Sequence, residues 1–92
     1  SVDSKSTRVE NVLFTREFHM KDLKLLQAFG FHLQEIRKAN SLSQEQLALK
    51  AGLDRTYISG IERGRRNISL LNIYKLADSL EISVTELFDF EV

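Results

Sequence analysis

The sequence predicts an all-α domain of five short helices around one core. Apolar residues between positions 22 and 80 recur at spacings of three and four, the period of an amphipathic helix. Polar capping residues and a glycine cut that pattern into short segments, no β-strand is convincingly signalled there, and proline is absent throughout. With 92 residues, 42% of them hydrophobic and 28% charged, the chain suits a single small domain and is too apolar for disorder.

The first helix is expected over residues 22–39, where Leu26, Phe29, Leu33 and Ile36 share a face. Asn40 ends it. Ser43 opens the second, about 44–50, and Gln46 three residues on completes a capping box. Leu47, Ala48 and Ala51 form its buried side, and Gly52 suits the left-handed residue that stops it. Asp54 is placed to cap the third helix. At 100° per residue, Tyr57, Ile58 and Ile61 lie on one side of that helix, and Arg55, Thr56, Ser59, Gly60 and Arg63 on the other. Ser69 caps the fourth, with Leu70, Ile73, Leu76, Ala77 and Leu80 as its apolar set, and Ser83 with Glu86 makes a second capping box before a short fifth helix, about 85–88.

Residues 1–19 differ in composition from the rest, and the REFHM run ending at Met20 contains dipeptides that common cloning sites encode. Two readings stand: a vector-derived leader with Met20 as the natural start, or a native N-terminal arm. On either, no function is assigned to Val12, Phe14 or Phe18, and residues 20–92 form the folded domain.

Several function classes have no residues to support them. There is no cysteine, which excludes disulfides and thiolate metal sites and suits a reducing cytoplasm. His19 and His32 make a poor metal site, His32 reads as a surface or edge residue, and the serines lack an accompanying His and Asp constellation. No cofactor and no catalytic residue is expected. No apolar run reaches the ~18 residues that a membrane span needs.

Net charge is zero, yet the charges are segregated. Residues 31–75 hold eight basic and four acidic side chains, a surplus of four positive charges, while residues 76–92 hold five acidic and no basic ones. The basic middle coincides with the second and third helices, which have the spacing of a helix-turn-helix unit whose second helix enters a major groove. Arg55, in the first turn of the third helix, can pair with O6 and N7 of guanine, with the Thr56 and Ser59 hydroxyls beside it. Ser43 and Gln44 stand at a helix start whose free amides and dipole attract phosphate, and Arg63, Arg65, Arg66 and Asn67 can reach the same strand. Gly60 within a helix costs about 1 kcal/mol relative to alanine, and close approach to DNA would supply the reason.

The run LSQEQLALKAGLDRTYISGIERG resembles the helix-turn-helix domain of phage-repressor and Cro-like (XRE) regulators, over about residues 29–88. DRTYISGIERGRRNIS is especially similar to the controller proteins of restriction-modification systems. The resemblance implies a lambda-repressor-like fold, with Gln44 on phosphate, Arg55, Thr56 and Ser59 facing bases, and Tyr57 near the DNA backbone. It also implies a structural ion pair between Arg37 and Glu62. Gly60 departs from the long polar side chain that many relatives carry, so the resemblance does not carry a base contact over to that position. Phe88, Phe90 and Val92 are more apolar surface than so short a chain readily buries, and the resemblance points the same way, to a homodimer. The expected function is a sequence-specific DNA-binding transcriptional regulator on an inverted-repeat operator, with RNA polymerase as a further partner of the acidic, aromatic C-terminus. The competing reading is an antitoxin or adaptor that uses this fold to bind protein.

Overall fold

The computed structural model describes the backbone of residues 4–92 and the side chains of residues 20–92. The segment set apart as leader or arm, residues 1–19, lies outside the described side chains, Val12, Phe14 and Phe18 included. Five helices follow in order: α1 (Ser4–Ala39), α2 (Gln44–Ala51), α3 (Arg55–Glu62), α4 (Leu70–Ser79) and α5 (Val84–Leu87). Helix α1 begins well before residue 22. Its apolar period starts only where it meets the domain: Met20, Leu23 and Leu25 are exposed, whereas Phe29 and Leu33 are buried.

The core is built from Phe29 and Leu33 of α1, Leu47, Ala48 and Ala51 of α2, Ile58 and Ile61 of α3, Leu76 and Ala77 of α4, Leu80, and Leu87 of α5. Helix α1 packs on α3 and α5, α2 on α3 and α4, and α4 on α5. The small residues of α2 let its neighbours come close. Gly52 ends it at φ 69°, its N–H taken by the Ala48 and Leu49 carbonyls. Both expected capping boxes form, Ser43 with Gln46 and Ser83 with Glu86, and the Ser69 hydroxyl accepts from the Asn72 N–H.

Two expectations need correction. Asp54 makes no side-chain cap hydrogen bond; the Tyr57 N–H it would take is bonded at 3.1 Å to Asp54's own carbonyl. Leu70 is 68% exposed rather than part of the core. It sits in the first turn of α4, about 70° round the helix from the centre of the Ile73, Leu76, Ala77 and Leu80 face.

Two close approaches were not read from the sequence. Gly30 is buried where α1 crosses the end of α3, and a Cβ there would come within 2.8 Å of the backbone at Glu62. His32 is half-buried, with Nε2 2.9 Å from the Glu86 carbonyl oxygen and its ring 5.5 Å from that of Phe90. That contact folds the C-terminal segment onto α1. Phe90 packs against the core beside Phe29, while Phe88, although 5.3 Å from Phe29, stays 44% exposed and Val92 is 75% exposed.

Candidate nucleic-acid interface

Helix α3 is fixed from behind. Ile58 and Ile61 are fully enclosed, so the opposite face must point outward. Its rotation is set by Glu62, whose carboxylate takes two parallel hydrogen bonds from Arg37, Nε to Oε2 at 2.6 Å and Nη2 to Oε1 at 2.9 Å. Both side chains are buried, 7% and 2% exposed. The hydrogen bond from the guanidinium to Glu62 raises the Arg37 pKa, against a smaller opposing effect of burial. Arg37 Nη1 also donates to the Leu42 carbonyl at 2.8 Å, which ties the turn before α2 to the same pair.

Gln44 belongs to this cluster. Its Nε2 donates to Glu62 Oε1 at 2.9 Å, a link across 18 residues that no local signal marks. The amide expected on phosphate is thus already oriented by the ion pair behind it. Ser43 is exposed, and its hydroxyl is occupied by the Gln46 N–H in the capping box.

The outward face of α3 and the following loop form one open depression, lined by Arg55, Thr56, Ser59, Gly60, Arg63, Arg65 and Arg66. All three residues expected to read bases, and three of the seven expected on phosphate, are brought together there. The lining holds, among the described residues, four arginines and no acid. Among the described residues the ion pairs are Arg37 with Glu62 and Lys50 with Glu81, so none of the four is neutralised by a carboxylate. Four guanidinium groups in one concavity, with no described carboxylate paired to them, make this face locally basic despite a net charge of zero. Asn67 is exposed just beyond.

Tyr57 is half-buried at the edge of the core, and its hydroxyl accepts from Asn72 Nδ2 at 2.9 Å. The phenolic proton remains able to donate outward. The Arg66 guanidinium lies over the Tyr57 ring, 5.2 Å from its centre. Asn72 was missed by sequence reasoning: it stands 15 residues from Tyr57, and nothing local marks it.

The family profile described as helix-turn-helix matches residues 33–87, from α1 through α5. The chain belongs to that family. Restriction-modification controllers are among the proteins to which it is similar. Control protein C.MunI of Mycoplasma sp is 47% identical over 70 residues, covering 75% of this chain and 92% of that protein. The crystal structure of the controller protein C.AhdI from Aeromonas hydrophila superposes with a TM-score of 0.68 at 57% identity, over 68% of this chain and 96% of that one. The controller protein C.Esp1396I, crystallised as a tetramer with its natural 35 base-pair operator, matches with a TM-score of 0.65 at 42% identity, over 71% of this chain and 86% of that one. The family is one of DNA-binding transcriptional regulators rather than enzymes. Among the described residues no helix is long and apolar enough to cross a membrane.

Proposed function

We propose that this helix-turn-helix protein is a controller-type regulator, working in the cytoplasm as a homodimer on an inverted-repeat operator. Each α3 enters one of two successive major grooves, about 34 Å apart. Arg55 pairs with a guanine edge, Thr56 and Ser59 contact the neighbouring bases, and Ser43, Gln44, Tyr57, Arg63, Arg65, Arg66 and Asn67 hold the flanking phosphates. The observation that carries this reading is the depression over α3, with four arginines and no acid in its lining. An acidic or apolar lining would favour a protein partner instead.

Residues 20–92 form the binding unit. Phe88 and Val92, still exposed after folding, supply apolar surface for the second copy, whereas Phe90 packs mainly within its own chain. The acidic stretch after Lys75 is the part of the molecule suited to RNA polymerase. The likeness to an operator-bound controller supports the DNA partner.

The experiment is selection from a random-sequence duplex pool, with sequencing of the bound fraction at two salt concentrations. Enrichment of an inverted repeat with half-sites one helical turn apart is expected. Weak binding that vanishes at moderate salt without enrichment would contradict sequence-specific reading and turn the search to a protein partner.

A further inference from the structure

Glycine is the poorest helix former after proline, yet Gly60 lies within α3 in the middle of the basic depression. Its neighbour explains it. A Cβ at position 60 would stand 2.5 Å from Arg66 Cγ, with Arg66 Cδ at 3.5 Å and Arg66 Cβ at 3.6 Å. The stem of Arg66 therefore runs through the space where any other residue at 60 would put its side chain. The close contact is with the stem and not the flexible tip, so relieving it means swinging the whole arginine away.

The other end of that side chain is also held. The guanidinium lies over Tyr57, and Tyr57 is fixed in turn by the hydrogen bond from Asn72. A solvent-exposed arginine ordinarily gives up much rotamer freedom when it engages a phosphate. Here Gly60, Tyr57 and Asn72 have already restricted it.

We propose that Gly60 is a positioning residue for Arg66: the missing side chain is the channel in which the arginine stem is seated, so that the guanidinium is held in place at the DNA interface before DNA arrives. Close approach of DNA to Gly60 itself is then not what requires the glycine. The inference rests on the reading of this face as a DNA interface.

The test uses Gly60→Ala, Arg66→Ala and the double variant, each titrated against a fluorescein-labelled random-sequence duplex pool at several salt concentrations, with thermal denaturation alongside. Alanine is the better helix former, so the melting temperature of Gly60→Ala is expected to hold or to rise by about 5 °C, while its DNA affinity falls about three- to tenfold. That divergence is what a merely structural glycine would not produce. Arg66→Ala should weaken binding to a similar degree and lower the salt slope by nearly 1, and adding Gly60→Ala to it should change nothing further. A Gly60→Ala protein that binds as tightly as the parent, beside a weakened Arg66→Ala, overturns the positioning role alone. An equal loss from Gly60→Ala with or without Arg66 overturns it too, and shows that DNA meets position 60 directly. Parental binding by Arg66→Ala removes Arg66 from the interface and the inference with it.

Discussion

Replacing Arg37 by methionine keeps the volume of the side chain but strips the Glu62 carboxylate of two of its three hydrogen bonds, leaving only the one from Gln44. The Leu42 carbonyl loses its donor as well. With the Glu62 side chain 2% exposed, water cannot replace the lost guanidinium, and a buried charge deprived of its partner costs about 3–5 kcal/mol. A domain of this size holds on the order of 5–15 kcal/mol in total, so the melting temperature should fall by roughly 12–40 °C. Glu62 raises the Arg37 pKa, so the arginine side of the pair contributes fully below the ordinary arginine range and is lost only as pH rises through the higher folded value. In the parent, therefore, the arginine side of the pair loses nothing near neutrality. Urea denaturation followed by far-UV circular dichroism measures the loss, and the double variant Arg37→Met with Glu62→Met should recover most of it, because apolar pairs of similar volume replace buried ion pairs at little cost. A single variant less than about 1 kcal/mol below the parent, or a double variant as damaged as the single, would refute the claim that this pair locks α3.

Two further substitutions probe the packing. Gly30→Ala would press a methyl group into the backbone of α3 and force the two helices apart, at a cost of about 1–3 kcal/mol by denaturant titration; an unchanged midpoint would show that α1 and α3 do not pack as closely as described. Phe88→Asp should shift the protein towards monomer in sedimentation at fixed concentration, whereas Phe90→Ala should lower its stability by about 1–3 kcal/mol and leave association intact; the opposite pattern would exchange the roles of the two rings.

The residues legible in the sequence are those whose signals are local. Ser43 with Gln46 and Ser83 with Glu86 lie within one turn, Gly52 adjoins the helix that it ends, and Leu47, Ala48 and Ala51 follow the helical period. The outward set of α3 was readable for the same reason, because fixing Ile58 and Ile61 inward fixes Arg55, Thr56 and Arg63 outward. What escaped depends on contacts between distant elements. Gly30 looks like any helical glycine until α3 lies against it, and Gln44 looks like a free amide until Glu62 arrives beneath it. Phe90 and Phe88 are indistinguishable by composition; only the return of the chain past His32 separates the ring that packs inside from the ring left at the surface. The loop arginines were correctly set apart as basic, but nothing in their spacing told that Arg66 would cross back over α3 to Gly60 and Tyr57.

Whether the outward face of α3 reads DNA sequence is decided by titrating Arg55→Ala against the selected duplex and its single base-pair variants, with Arg66→Ala in parallel. Arg55→Ala is expected to lose about 1–3 kcal/mol on the selected site and to stop discriminating at one base pair per half-site, while Arg66→Ala weakens every duplex alike. Undiminished discrimination at every position by Arg55→Ala would contradict sequence reading by this face.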